Sequence, residues 1–162
     1  MSDESASPVE PEFPIDGRLL GVDFGTKRVG LAVSDIEQRI AAPLETWERH
    51  GKAVDAAYIS SLTEEHRIAG FIVGLPVHMS GDESGKSREA RKFGDWLQRV
   101  TGLPVRHHDE RYSTVKADAV MLEAGLSRGK RKARVDRMAA QFILQDYLDG
   151  DRTGAEPPDL SV

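Results

Sequence analysis

Three acids stand where acids are awkward. Asp23 closes the apolar run Leu19-Leu20-Gly21-Val22, Glu110 follows directly on the short run Pro104 to His108 and Asp109, and Asp136 falls on the apolar face of the last amphipathic stretch. A carboxylate inside an apolar element must be paired, hydrogen-bonded or metal-bound to offset its desolvation. Each acid also has an ordinary explanation: Asp23 accepts N–H bonds from the turn after it, Arg111 pairs with Glu110, and Asp136 joins an ion pair. Together at one edge of a sheet, however, they would repel and raise one another's pKa unless divalent cations neutralised them. The chain has no Cys and no His pair at ligand spacing, so oxygen-only ligation favours Mg²⁺ or Mn²⁺ over zinc. Two such ions about 4 Å apart suit phosphodiester hydrolysis, in which one activates a water and the other stabilises the leaving oxygen.

Residues able to hold a polyanion lie close by in sequence. Thr26, Lys27 and Arg28 occupy the turn after Asp23, and Ser113 and Thr114 open a helix whose N-terminus suits phosphate. Arg128, Lys130, Arg131, Lys132 and Arg134 crowd beside Asp136, a local phosphate-binding candidate. The ordinary alternatives are a solvated turn, a helix cap with no ligand and a solvated loop. His107 and His108 alternate across a strand, so both cannot enter one site, and each is expected to be structural.

The elements that would position these groups follow from the apolar pattern. Leu19 to Asp35 predicts two strands folded back across Gly25-Thr26-Lys27-Arg28, with Gly25 free to take a positive φ. Ala41 to Glu48, containing Pro43, suits a third antiparallel strand at an edge. A helix is expected over 52–67 with Val54, Ala57, Tyr58, Ser61 and Leu62 inward. Ile68 to Val73 is a nearly continuous apolar run, as in a parallel strand covered on both faces. The Gly74 to Gly85 loop follows, then a helix over 86–100 with Ala90, Phe93, Leu97 and Val100 on one face. A short strand over 104–108, a helix over 113–124 and a last helix from about Arg134 to Leu148 complete the order. The last helix turns Ala139, Ala140, Ile143 and Tyr147 inward, on the face that carries Asp136. The expected architecture is α/β: a three-layer domain with a mixed five-stranded sheet, an antiparallel meander followed by parallel strands, flanked by helices.

At 162 residues and 39% hydrophobic, one well-buried domain is expected. Residues 1–18 read as a disordered acidic, Pro-containing arm, 19–149 as the domain and 150–162 as a disordered acidic tail. The lack of Cys excludes disulfides, thiolate zinc sites and a cysteine nucleophile. No apolar run approaches a membrane span and no signal peptide is present, so a cytoplasmic location without membrane contact is expected. The net charge of −5 does not argue against nucleic acid, because the acids concentrate in the two terminal stretches and the body is slightly basic.

The stretches GVDFGTKRVGLAVSD, IVGLPVHMSGDES, DERYSTVKA and RVDRMAAQFILQDYLD, in that order, resemble the YqgF/RuvX family from about Leu19 to Leu148. Proteins of that family are described as Holliday junction resolvases or as pre-16S rRNA processing nucleases, with an RNase H-like fold. The resemblance implies that Asp23, Glu110 of the DER motif and Asp136 are the catalytic, metal-holding acids. It implies ribosomal RNA precursor processing, with resolution of branched DNA junctions as the alternative. Resolution needs two symmetric cuts, and nothing in the sequence decides between monomer and homodimer. Two further readings stay open: a non-catalytic RNA-binding ribosome assembly factor, and a phosphate-binding module suggested by the likeness of Asp23-Phe24-Gly25-Thr26-Lys27 to the phosphate loop of actin-like ATPases.

Overall fold

A computed structural model describes residues 13–76, 85–109 and 128–150, with the backbone alone for 128–133. The two apolar runs of the opening stretch form β1 (Arg18–Asp23) and β2 (Arg28–Ser34), and β3 (Ala41–Glu48) follows. Then come α1 (Lys52–Glu65), β4 (Ile68–Leu75), α2 (Gly85–Thr101), β5 (Val105–Asp109) and α3 (Arg128–Asp149). The sheet order is β3-β2-β1-β4-β5. β1 pairs antiparallel with β2 and parallel with β4, β2 pairs antiparallel with β3, and β4 parallel with β5. This is the expected mixed sheet, and with helices on both faces it makes the RNase H-like three-layer architecture.

Alternation along the strands divides the core in two. Leu20, Val22, Val29, Leu31, Phe71 and Val73 pack with α1 and α2 on one face, where Trp47, Phe93 and Leu97 complete the cluster. Leu19, Ala32 and Ile72 pack with Ala140, Ile143, Leu144 and Tyr147 of α3 on the other. Ile143 and Leu144 are fully buried; at roughly 1.5–3 kcal/mol for each such side chain, they fix α3 against β1 and β2.

Three details differ from expectation. α3 begins at Arg128 rather than near 134, which places the basic run on the first turns of the helix. α1 is rotated relative to the sequence pattern: Asp55, Ile59, Leu62 and Thr63 are buried, whereas Val54 is exposed. The cause is Asp55, turned inward to accept the His50 N–H at 2.9 Å and to pair with Arg49. Gly25 does not take a positive φ. It is needed for room, because a Cβ there would stand 2.2 Å from the Arg28 carbonyl oxygen.

Phe13, assigned by composition to the amino-terminal arm, meets Tyr147 edge-on at 6.0 Å and lies under the Arg106 guanidinium at 4.8 Å. The loop after Pro76, the expected helix over 113–124, and residues 1–12 and 151–162 lie outside the described residues. Among the described residues, no helix is long and apolar enough to cross a membrane.

Candidate active site

The carboxyl ends of β1, β4 and β5 lie at one end of the sheet, as the parallel pairings require. The start of β2 and the end of β3 reach the same end, with Arg28 opposite Glu48. Asp23 is the last residue of β1 and stands opposite Gly30 of β2. Directly opposed residues share a face of the sheet. For Gly30 that face belongs to α3: a Cβ on Gly30 would stand 1.9 Å from the Asp136 carbonyl oxygen. Two residues back, Gly21 faces α3 in the same way, and its Cβ would meet the Leu144 Cβ at 2.8 Å. Two glycines therefore let α3 lie almost on the strand backbone, which sets Asp136 beside the strand pair that carries Asp23. Glycine inside a strand commonly marks such a close approach of another backbone.

Arg28 belongs to the same row of β2 as Gly30 and projects to the α3 face. Its Nε lies 3.4 Å from Asp136 Oδ2, with each side chain about one-quarter exposed. The guanidinium supplies positive charge to a carboxylate drawn partly out of water, where an opposite charge counts for more than it does in bulk solvent. Gly25, Thr26, Lys27, Arg28, Glu48, Arg49, His50 and Asp136 line an open cleft of about 720 Å³ here. The turn of Thr26, Lys27 and Arg28 thus forms one wall of the cleft in which Asp136 stands.

Oxygen donors from Asp23 and Asp136 on a shared face fit a hard cation such as Mg²⁺ or Mn²⁺. No ligand set of three His, Asp or Glu occurs among the described residues. Glu110, Ser113 and Thr114 lie outside them. Asp109, the residue before Glu110, pairs with Leu75 at this same end of the sheet, two strands from Asp23 and so about 10 Å across. Of the basic run, Arg134 is exposed, while for Arg128, Lys130, Arg131 and Lys132 the backbone alone is placed, within α3.

His107 and His108 face opposite sides of β5. His107 lies against Gly94 of α2, and His108 Nε2 contacts Asp146 Oδ2 of α3 at 2.7 Å. The cleft also contains residues that motif reading did not single out: Glu48, Arg49 and His50 follow one another at the end of β3. The only sequence signal for them is position, since the end of an antiparallel edge strand returns to the level of the turn between its neighbours. Gly21 and Gly30 carried a clearer signal, as glycines within otherwise apolar strands.

Residues 17–150 match the family model described as RuvX: Holliday junction resolvase. A protein of Rhodopirellula baltica named "Putative pre-16S rRNA nuclease" is 43% identical over 152 residues, covering 94% of this chain and 88% of its own. One of Rhodobacter capsulatus with the same name is 47% identical over 137 residues, covering 85% and 86%. Among solved structures, the Fowlpox virus resolvase in complex with its substrate Holliday junction DNA has the same fold, with a TM-score of 0.50 at 10% identity over 82% of this chain and 97% of that one.

Proposed function

The chain belongs to the RuvX family, and from that premise we propose that it is a metal-dependent nuclease that cuts structured RNA, processing the 5′ end of the 16S rRNA precursor in the cytoplasm. The observation that carries this reading is the approach of α3 at Gly30, which places Asp136 beside the strand pair ending in Asp23. Carboxylates gathered on one face of the sheet raise one another's pKa unless positive charge is supplied; Arg28 supplies part of it to Asp136, and metal would supply the rest. Asp23, Asp136 and Glu110 would hold Mg²⁺ or Mn²⁺, two ions in the full site. Bound there, the metal would make a nucleophile of water at neutral pH and stabilise the leaving oxygen.

The other residues prepare the substrate. Lys27 and Arg28, with the backbone of their turn, would hold phosphates flanking the scissile bond, and Thr26 would donate a hydrogen bond to one of them. Ser113 and Thr114, together with Arg128, Lys130, Arg131, Lys132 and Arg134, would hold the backbone further along. These contacts position a strand without reading its sequence, so selectivity for a precursor end would come from RNA shape.

The test is cleavage of a labelled 5′ leader of 16S rRNA precursor and of a four-way DNA junction, each with Mg²⁺ or Mn²⁺, by wild type and Asp23→Asn. Metal-dependent cleavage of the leader, falling about a hundredfold or more in the variant, is expected. Preferential cutting of the junction would move the substrate to branched DNA, as the family description has it. RNA binding with no cleavage by either protein at any metal concentration would instead favour an assembly factor.

A further inference from the structure

We propose that Arg49 is a preset phosphate contact of the cleft, held ready for a nucleic-acid backbone by Asp55 and by the rings of Phe24 and Phe93. The proposal rests on the nucleic-acid reading of the cleft and adds to it a residue outside the acidic set and the basic run. Arg49 lies just past β3, and its N–H donates to the Lys27 carbonyl at 3.0 Å, so it is fastened to the turn that follows Asp23. Its guanidinium lies 5.7 Å from the Phe24 ring centre and 5.3 Å from that of Phe93. The two rings are themselves in contact, with centres 4.8 Å apart.

Asp55 completes the mount. It is only 1% exposed; one carboxylate oxygen accepts the His50 N–H, and the other lies 3.5 Å from Arg49 Nε. A carboxylate this deeply buried needs a fixed cation, which makes the pair mutually positioning. Yet Arg49 is not sealed in. Its side chain is 29% exposed and lines the cleft with Lys27, Arg28 and Asp136.

An arginine stacked on aromatic faces and pinned at Nε has already lost most of its rotamer freedom, so contact with a phosphate costs less ordering than it would for a free surface lysine. Phe24 neighbours Asp23 in sequence but projects to the opposite face of the strand. Arg49 therefore stands across the end of β1 from Asp136, and a strand laid over Asp23 would be held from both sides.

The experiment is equilibrium binding of the labelled precursor leader RNA without added divalent metal, over about 50 to 200 mM salt. The variants are Arg49→Gln, Arg49→Lys and the double change Arg49→Gln with Asp55→Asn. We expect Arg49→Gln to weaken binding about tenfold and to flatten the plot of log affinity against log salt by up to one phosphate contact, about 0.7–0.9 in slope. Arg49→Lys should regain slope but not full affinity, since lysine neither stacks nor forks. The double variant leaves no lone buried carboxylate, and should show the Arg49→Gln binding defect even where the single variant folds poorly. A folded variant lacking Arg49 that binds with wild-type affinity and slope would overturn the proposal alone. Wild-type protein that does not bind the RNA would overturn the functional reading, and this proposal with it.

Discussion

Each end of the opening hairpin closes on an aspartate, and the two meet different surroundings. Asp35, just past β2, spends one carboxylate oxygen on the N–H groups of Arg39 at 2.7 Å and Ile40 at 3.0 Å. It organises the turn into β3 and ties itself to the backbone, as a strand-ending aspartate commonly does. Around it the far end of the sheet is closed locally: Gln38 is fully buried and donates to the Pro14 and Gly17 carbonyls, while Ser34 accepts the Leu19 N–H. Asp23, at the other end of β1, stands opposite Gly30, on the face of the sheet where the backbone of α3 at Asp136 makes its close approach. The residue type is the same; what differs is the surroundings, a turn of N–H groups for Asp35 and, for Asp23, the face of the sheet on which α3 packs.

Gly30→Ala attacks that difference most directly and should have the largest effect. The added Cβ would have to push the Asp136 carbonyl away from its 1.9 Å position. Overpacking of this kind costs about 1–3 kcal/mol, a fall in Tm of several degrees. Because a misplacement of about 1 Å at a reacting centre can cost a hundredfold in rate, cleavage should fall by about that factor. Gly17→Ala is the matching change at the far end, where φ is +91° and the Cβ would stand 2.9 Å from that of Ala69. It should lower Tm comparably and leave cleavage per folded molecule intact. Equal loss of cleavage in both variants would mean that the two ends do not differ in the way described.

Arg28→Gln sharpens the comparison at the cleft end, with a smaller effect. Arg28 is placed to neutralise Asp136, so a cation that takes up this carboxylate displaces or shares it. Loss of the partly exposed pair should cost at most about 1 kcal/mol without metal. The increase in Tm on adding Mg²⁺ should be larger in the variant than in wild type, while cleavage falls about tenfold as a phosphate contact is lost. An equal increase in both proteins would show that Arg28 and the metal do not compete for Asp136.

The contrast between the two aspartates also marks what sequence could convey. The meander, its edge strand over 41–48 and the parallel β4 were legible because period-two alternation, Pro43 and the uninterrupted run Ile68 to Val73 each reflect burial directly. The inward face of α3 was legible from helical spacing of Ala139, Ala140, Ile143 and Tyr147. The face of α1 was not, because Asp55 reads as polar in any pattern and becomes an inward residue only through Arg49 and the His50 N–H. Arg49 was hidden for the same reason: its partners Phe24, Asp55 and Phe93 come from three elements that meet only in the folded chain. Asp23 and Asp136 stood out as acids among apolar residues, but the close approach of α3 to the strand pair that carries Asp23 depends on a glycine.

The smallest effect is expected from Asp35→Asn, which tests the other side of the comparison. The N–H groups of Ile40 and then Arg39 hold the Asp35 carboxyl below the ordinary carboxylate value of 3.8. A depressed native pKa contributes stability that is fully present above the unfolded-state value and is lost as pH falls through the native one. Wild-type Tm should therefore lose this contribution progressively below about pH 4. Asn still accepts hydrogen bonds but cannot titrate, so the variant should start slightly less stable at pH 7 and lose less on acidification, with cleavage at pH 7 unchanged. Thermal melts of both proteins between about pH 7 and pH 2 measure the difference. Superimposable pH profiles would mean that the turn does not favour the charged carboxylate, and a loss of cleavage would mean that the far end of the sheet is not independent of the cleft.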